Sequence, residues 1–251
     1  MLNIVIPMAG LGSRFSQAGY ALPKPLIDVA GVPMIKVVTS NLTPKGDHRF
    51  IFVCQNEHIA KYDLESKLKT YAKNVVVIGL DGVTEGQVCT VLAAREYINN
   101  DQPLMTGNSD QYIDFDINYY IEAFDKSGAD GFIMTMESSD PKWSYVEMGD
   151  DGRVVRTAEK EVISNNATVG IYNFRRGSDL VKYAELMIKK NIRVKNEFYT
   201  CPVYNFLIDA GMDIRAMSIG QEAGGMYGLG TPSDLECFLA HPISRRIPRG
   251  K

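Results

Sequence analysis

The sequence predicts an α/β fold built on a mixed, mostly parallel β-sheet with helices on both faces. Over the first 137 residues, apolar stretches alternate with stretches of helical periodicity. The apolar stretches are nearly continuous, which is typical of parallel strands buried on both faces. A chain of 251 residues with 45% hydrophobic residues is long enough to bury such a core.

Strands and helices follow one another regularly in the first half. The predicted strands, rich in β-branched and aromatic residues, are 2–8, 49–54, 74–79, 102–106 and 131–136. The predicted helices between them are 33–42, 59–71, 87–97 and 116–127. Pro33 suits a first helical turn and Asp116 suits an N-cap. Ligands of such sheets bind at the carboxyl ends of the strands, so the loops there are the candidate site.

The pattern changes after residue 136. Strands 144–148 and 154–159 are predicted to form a hairpin around Gly149-Asp150-Asp151-Gly152. Further predicted strands are 168–175, 214–219 and 226–228, and the predicted helices are 179–190 capped by Ser178, 199–210, and 232–239 capped by Thr231. The basic tail, 245–251, is predicted to be loosely held. Since no linker separates the halves, we expect one domain over residues 1–251, divided at residue 137.

Composition excludes several classes of partner. A net charge of −3 and a pI near 5.7 give no basic field for nucleic acid or an anionic membrane. No apolar run reaches the roughly 20 residues of a membrane span, and no signal-peptide pattern is found. The four cysteines have no metal-ligand spacing, so reduced thiols and a cytoplasmic location are expected. Apolar residues on the late helices are compatible with a homo-oligomer.

A glycine-containing loop follows the first predicted strand. It reads Ala9-Gly10-Leu11-Gly12-Ser13, and Arg14 comes next. Such a loop exposes backbone N–H groups that bind phosphates, and Arg14 and Lys24 add positive charge. The loop lacks the third glycine of G-x-G-x-x-G, because Phe15 stands there, and it lacks the Walker pattern. The sequence therefore predicts a nucleoside-triphosphate site; the alternative is a tight turn between a strand and a helix.

These motifs resemble a known family. AGLGSRF at 9–15, followed by PKPLIDVAGVPMI at 23–35, is similar to the signature of sugar-1-phosphate nucleotidyltransferases, also called nucleoside-diphosphate-sugar pyrophosphorylases. Less sharp matches continue in order, and they are GNSDQ at 107–111, Glu159-Lys160, VGIYNF at 169–174 and GLGTPSDL at 228–235. The resemblance implies a Rossmann-like, GT-A-like nucleotidyltransferase sheet with a small β/α elaboration on the acceptor side. Residues 1–137 would be the nucleotide-binding half and 138–251 the acceptor-binding half.

The resemblance also implies a reaction and its substrates. A sugar 1-phosphate or a similar phosphorylated acceptor attacks the α-phosphorus of a nucleoside triphosphate, and pyrophosphate leaves. Residues 9–13 would hold the triphosphate, Arg14 the departing pyrophosphate, and Lys24 the α-phosphate and the sugar phosphate. Glu85-Gly86-Gln87 would contact the base, and Asn108 is assigned to the nucleotide side. The product would be a nucleotide-activated sugar, of the kind used in capsule or lipopolysaccharide synthesis.

The acceptor side and the metal are implied in the same way. Tyr145, Glu159, Lys160, Gly170 and Glu197 are expected to contact the acceptor. From the residues alone, 159–160 can instead be a solvent-exposed strand end, and 196–199 can instead be a helix N-cap. Asp110 is the expected Mg²⁺ ligand, because a carboxylate suits this hard cation. Many relatives carry a second aspartate where this chain has Gly228.

Two other functions fit parts of the pattern. A glycosyltransferase of similar fold would need a D-x-D metal motif, and the sequence Asp114-Phe115-Asp116 matches that motif. That mechanism leaves Arg14 and Lys24 without a role. A non-catalytic nucleotide-binding module would be compatible with Gly228, but it would not need Arg14, Lys24 and Asp110 together.

Overall fold

The computed structural model describes residues 1–247. Its strands in chain order are β1 Leu2–Pro7, β2 Asp28–Val29, β3 Val32–Pro33, β4 His48–Gln55, β5 Val75–Leu80, β6 Leu104–Gly107, β7 Gln111–Ile113, β8 Gly131–Glu137, β9 Ser144–Met148, β10 Val154–Glu159, β11 Asn166–Phe174, β12 Ile214–Gln221 and β13 Met226–Gly228. The α-helices are α1 Ser13–Gln17, α2 Met34–Leu42, α3 Asn56–Tyr62, α4 Leu64–Tyr71, α5 Gln87–Leu92, α6 Arg95–Ile98, α7 Ile117–Ser127, α8 Gly177–Lys189, α9 Val203–Asp209 and α10 Pro232–Ala240. Short 3₁₀ turns cover Lys24–Leu26 and Pro242–Arg246.

The predicted α/β class is confirmed by a mixed central sheet with helices on both faces. Its main path runs β10-β9-β11-β6-β1-β4-β5, and β8 joins β11 to β12. The strands β6, β1, β4 and β5 are parallel, as are β8 and β12. The strand β11 runs antiparallel to both β6 and β8.

Side chains of the parallel strands alternate between two cores. Ile4 and Ile6 of β1 pack on one face of the sheet, while Val5 packs on the other. In the same way Phe50 and Phe52 of β4 lie opposite Ile51. Because both faces are covered, the central positions of these strands are apolar on both faces, and this is why the sequence shows near-continuous apolar runs.

Strand β11 connects the two halves of the chain. It lies beside β6 of the first half and beside β8 and β9. Its register against β8 shifts between Thr168 and Tyr172, and Gly170 within that shift has a φ of 76°. This is a β-bulge, a feature that bends a strand locally and often lies beside a functional site.

A third core ties the glycine loop to the end of the chain. Phe15, Ile27 and Val29 pack with Leu235, Phe238 and Ile247. Phe15, which occupies the third position of the incomplete dinucleotide pattern, is only 1% exposed and anchors this core. The prediction of a loosely held tail is therefore wrong for residues 245–247, since Ile247 is buried. The rest of the predicted tail, 248–251, lies outside the described residues.

Local chain geometry changes four predicted helices. The helix predicted over 87–97 is interrupted at residues 93–94, so it forms α5 and α6. The helix predicted over 59–71 is interrupted at Asp63, which has a left-handed φ of 47°, so it forms α3 and α4. The helix predicted from 199 begins after Pro202, because proline is favoured at the start of a helix rather than inside it. Ser178 lies inside α8 and is not its N-cap. The predicted caps Asp116 and Thr231 are confirmed by hydrogen bonds from Asn118 N and Asp234 N.

None of the helices within residues 1–247 is both long enough and apolar enough to cross a lipid bilayer.

Candidate functional site

Two adjoining clefts open beyond the carboxyl ends of β1 and β6. The first has a volume of about 630 Å³. It is lined by Pro7, Ala9, Gly10, Leu11, Gly12, Ser13, Val83, Thr84, Glu85, Gly86, Gln87, Thr90, Arg193, Asn196 and Glu197. The second has a volume of about 530 Å³. It is lined by Arg14, Asn108, Asp110, Gln111, Lys142, Trp143, Lys160, Lys195, Met226, Gly228, Gly230, Thr231, Ser233 and Asp234.

The glycine loop forms one wall of the first cleft. In the described chain, the N–H groups of Gly10, Leu11 and Gly12 donate to no backbone carbonyl. The carbonyl of Ala9 is turned inward and accepts a hydrogen bond from Gln55 Nε2 at 2.5 Å. Since Gln55 is buried at the end of β4, it holds the loop against the neighbouring strand. The loop thereby keeps its donors free for an anion in the cleft.

Lys24 and Asp110 form an ion pair at the second cleft. Lys24 Nζ lies 2.5 Å from Asp110 Oδ2, and the two side chains are 22% and 25% exposed. Lys24 reaches this position from a 3₁₀ turn that begins after Pro23, and Asp110 follows β6. The pair links the segment after the glycine loop to the loop after β6, so a cation and a carboxylate meet beside the second cleft, which Asp110 lines and Lys24 does not.

A row of three amide side chains connects the clefts. Gln87 Nε2 donates to Asn108 Oδ1 at 2.6 Å, and Asn108 Nδ2 donates to Gln111 Oε1 at 3.2 Å. Gln111 is 5% exposed, and its Nε2 has no hydrogen-bond partner within residues 1–247. Gln87 lines the first cleft, whereas Asn108 and Gln111 line the second. Both polar ends of Asn108 are thus held by the protein, which fixes its orientation.

The loop 84–88 is closed by the segment that precedes α9. Phe198 N donates to the carbonyl of Glu85 at 2.9 Å, and Val88 N donates to the carbonyl of Phe198 at 3.1 Å. Gly86 has a φ of 141°, and a Cβ there would lie 2.4 Å from the backbone of Phe198. Only glycine permits this close approach. Arg193 strengthens the closure by pairing with Glu85 and stacking 3.9 Å from the centroid of the Phe198 ring.

Lys160 enters the second cleft from the end of the β9–β10 hairpin. Its φ is 56°, a left-handed value that is uncommon outside glycine. Its Nζ donates to Tyr199 Oη and lies 4.3 Å from the ring centroid of Tyr199. Burial, together with a hydrogen bond to Glu197, raises the pKa of Tyr199, so its hydroxyl stays neutral. Lys160 therefore lies beside an uncharged partner rather than an anion.

Glu159 lies behind Lys160 and is largely buried. Burial raises the pKa of its carboxyl, while a hydrogen bond from Ser144 Oγ and the charge of Lys160 lower it. Glu159 lines neither cleft. Its contacts connect β10 to β9, and they orient the strand end from which Lys160 projects.

Two carboxylates line the second cleft. Asp110 Oδ2 lies so close to Gly230 that a Cβ there would be 2.7 Å away, and Asp234 Cγ would be 3.5 Å from a Cβ on Gly228. Asp234 belongs to the first turn of α10. No cluster of three or more His, Cys, Asp or Glu side chains suited to a metal ion occurs in residues 1–247. A cation held here would therefore have at most two protein carboxylates and would need oxygen ligands from phosphates or water.

The two aspartates of the Asp114-Phe115-Asp116 motif have structural roles. Asp114 Oδ1 lies 2.6 Å from Arg246 Nη1, and Asp116 caps α7. Neither carboxylate lines the two clefts.

Comparison with known proteins agrees with this geometry. The family model described as Nucleotidyl transferase matches residues 4–201. The chain belongs to this nucleotidyl transferase family. The match includes the glycine loop, the loop after β6 and Lys160, so both clefts are built mainly from family sequence.

Curated relatives and solved structures extend the family comparison. The chain is 23% identical over 227 residues to the mannose-1-phosphate guanylyltransferase catalytic subunit beta of Dictyostelium discoideum, covering 84% of this chain and 61% of that protein. It is 26% identical over 177 residues to the UTP–glucose-1-phosphate uridylyltransferase of Komagataeibacter xylinus, covering 60% of this chain and 62% of that protein. The chain thus spans about three fifths of the length of these two relatives. A nucleoside-diphosphate-sugar pyrophosphorylase from Vibrio cholerae has the same fold, with a TM-score of 0.81, 24% identity, and coverage of 95% of this chain and 100% of that one.

The nucleotidyl transferase fold brings most of the predicted site residues to one of the two clefts. Residues 9–13 and 85–87 line the first, and Arg14, Asp110 and Lys160 line the second. Asn108, assigned from sequence to the nucleotide side, lines the second cleft. Glu197, assigned to the acceptor side, lines the first.

Besides Glu159, two further predicted acceptor contacts lie behind the cleft surface. Tyr145 is fully buried, and its hydroxyl donates to the carbonyl of Asp140 at 2.7 Å, so Trp143 lines the cleft instead. Gly170 lies under Asn108, where a Cβ would be 2.0 Å from Asn108 Nδ2. Its role in the structure is to make room for the amide of Asn108.

Several residues of the site were not singled out from sequence. These are Gln55, Gln111, Arg193, Lys195 and Asp234. Gln111 carried a usable signal, since it directly follows Asp110 at the end of a predicted strand. Asp234 lies within the GLGTPSDL match and Lys195 directly precedes 196–199, but neither motif assigned them a role. Only the tertiary structure brings these two residues, Gln55 and Arg193 to the site.

Proposed function

We propose that this protein is an enzyme that transfers a nucleoside monophosphate from a nucleoside triphosphate to a sugar 1-phosphate or a similar phosphorylated acceptor. The observation that carries the proposal is the pair of adjoining clefts. The glycine loop lines one cleft, and Arg14, Lys160 and Asp110, which is paired with Lys24, are at the other. Two anionic substrates can bind side by side there. The guanylyltransferase and uridylyltransferase names of the relatives support this reaction class.

In the proposed reaction, an oxygen of the acceptor phosphate attacks the α-phosphorus. A new P–O bond forms there as the bond to the oxygen bridging the α- and β-phosphorus breaks. Pyrophosphate leaves with that electron pair, so no proton transfer is required. The protein must align the reactants and neutralise charge. The glycine loop binds the triphosphate, Arg14 faces the leaving group, and Lys24 and Lys160 face the phosphates that join.

The residues also fit a Mg²⁺ ion as the cofactor. Asp110 and Asp234 would hold it, because Mg²⁺ binds one or two carboxylates and completes its shell with phosphate and water oxygens. The ion would neutralise phosphate charge during transfer. Asp234 would supply the carboxylate that many relatives carry at the position of Gly228.

Replacing Asp234 by asparagine is expected to weaken metal binding about 10-fold or more, because it removes one anionic ligand. The probe is Mn²⁺, titrated with electron paramagnetic resonance onto protein saturated with pyrophosphate. Asp209→Asn, an exposed change at the end of α9, is the matched control. Equal Mn²⁺ affinity in Asp234→Asn and wild type would remove Asp234 from the metal site.

The decisive experiment for the function measures pyrophosphate release. The wild-type protein is incubated with Mg²⁺, each of five nucleoside triphosphates and a panel of sugar 1-phosphates. Release that requires both a triphosphate and an acceptor supports the proposal. Consumption of a ready-made nucleotide sugar without pyrophosphate release would instead indicate a glycosyltransferase. Binding of nucleotide with no turnover in any combination would indicate a non-catalytic module.

We further infer that both halves of the chain act together as one domain, since β11 is paired with β6 before the division at residue 137 and with β9 after it. We also propose that the protein is cytoplasmic, that it forms a homo-oligomer, and that its product is used in capsule or lipopolysaccharide synthesis. Fractionation of the source cells and light scattering of the purified protein test the first two.

A further inference from the structure

A tight hairpin projects at the boundary between the two clefts. Val194 N donates to the carbonyl of Glu197 and Glu197 N donates to the carbonyl of Val194, both at 3.0 Å. The two residues at the tip, Lys195 and Asn196, have φ values of 46° and 65°. These contacts and angles are those of a two-residue type I′ turn.

The two tip residues face different clefts. Asn196 lines the first cleft and Lys195 lines the second. Arg193 fixes the hairpin in place, because it donates to the carbonyl of Asn196 at 3.2 Å and pairs with Glu85 across the first cleft. The position of Lys195 is therefore set by contacts that tie the hairpin to loop 84–88.

Lysine is an unusual residue at this point of the turn. Type I′ turns favour asparagine, aspartate or glycine at both central positions, because both need a positive φ. Asn196 follows that preference and Lys195 does not. A residue that opposes the local conformational preference beside a ligand cleft is a candidate for a functional role.

The charges of the second cleft also single out Lys195. Lys142 is neutralised by Glu222 at 2.7 Å and by Asp140 at 3.2 Å, and Lys24 is paired with Asp110. Within residues 1–247, three cations of this cleft make no salt bridge, and they are Arg14, Lys160 and Lys195. In the proposed reaction Arg14 faces the pyrophosphate, which leaves Lys160 and Lys195 for the acceptor.

We propose that Lys195 is a second binding residue for the acceptor phosphate, placed in the same cleft as Lys160 by the Val194–Glu197 hairpin. A phosphate monoester carries a charge of about −1.5 to −2 at pH 7, which two lysine ammonium groups balance. Because the same hairpin presents Asn196 to the nucleotide cleft, it positions the acceptor phosphate relative to the nucleotide. This inference deepens the proposed function and rests on it.

The test uses Lys195→Asn, because asparagine suits the turn while it removes the charge and shortens the side chain. Glucose 1-phosphate and mannose 1-phosphate are titrated by calorimetry onto protein saturated with pyrophosphate and Mg²⁺, so that the glycine loop is occupied. We expect the dissociation constant of the sugar phosphate to rise about 10-fold, the effect of losing one charge-assisted hydrogen bond. Lys195→Arg should retain most of the affinity, and Lys189→Asn, an exposed change on α8, should have no effect.

Kinetics provide a second readout, which a purely structural role would not reproduce. In Lys195→Asn the KM for the acceptor should rise about 10-fold, while the KM for the nucleoside triphosphate stays within about twofold. Unchanged acceptor affinity in Lys195→Asn, a change confined to the triphosphate, or a wild-type protein that binds neither sugar phosphate would each overturn the assignment. Failure of the proposed function is a separate result, namely wild-type protein that binds an acceptor but releases no pyrophosphate.

Discussion

Lys24→Met is expected to lower turnover by about 10²- to 10³-fold, the usual effect of removing one group that stabilises charge in a transition state. Lys24 is the cation that contacts Asp110, at 2.5 Å, and it lies between the glycine loop and the loop after β6. Methionine keeps most of the side-chain length and removes the charge. The loss should fall mainly on kcat, since charge on the reacting phosphates is redistributed during transfer.

The fold should tolerate this change. The ion pair is partly exposed, and such pairs contribute about 1 kcal/mol or less to stability. The melting temperature of Lys24→Met should therefore stay within about 4 °C of wild type. Lys73→Met, on the exposed loop before β5, is the matched control and should retain full activity. Wild-type turnover in Lys24→Met would show that Lys24 is not part of the catalytic site.

Gly170→Ala is expected to affect both folding and activity, because Gly170 meets two constraints at once. Its φ of 76° disfavours any side chain, and a Cβ would lie 2.0 Å from Asn108 Nδ2. The left-handed backbone costs alanine about 1–2 kcal/mol, and the collision adds about 1–3 kcal/mol. For a chain of this size, the total corresponds to a fall in melting temperature of roughly 4–20 °C.

Activity should fall by about 10²-fold in the same variant, since Asn108 must move from the second cleft and displacements near 1 Å have such effects. Gly152→Ala separates the two causes. Gly152 has a nearly identical φ of 77°, but no atom lies within 4 Å of the position of its Cβ. Gly152→Ala should lose only the backbone contribution and keep normal turnover. Equal losses in the two alanine variants would show that contact with Asn108 is unimportant.

The elements that depend on local sequence were predicted best. The apolar runs of β1 and β4 predicted buried parallel strands, because both faces of this part of the sheet are covered. The caps of α7 and α10 were predicted from single residues, because a cap is a contact between neighbours along the chain. Helix bounds were predicted less well where one residue, such as Asp63, adopts a left-handed conformation.

The sequence by itself determined the α/β class, the glycine loop with Arg14 and Lys24, and the position of Asp110 after a strand. Each of these depends on residues that are close together along the chain. Only the tertiary structure decided that Gln55 holds the glycine loop, that Asn108 faces the second cleft, and that Asp234 and Lys195 line it. These contacts join residues that are far apart along the chain, so they depend on strand order, on the bulge in β11 and on the hairpin before α9, which no local pattern specifies.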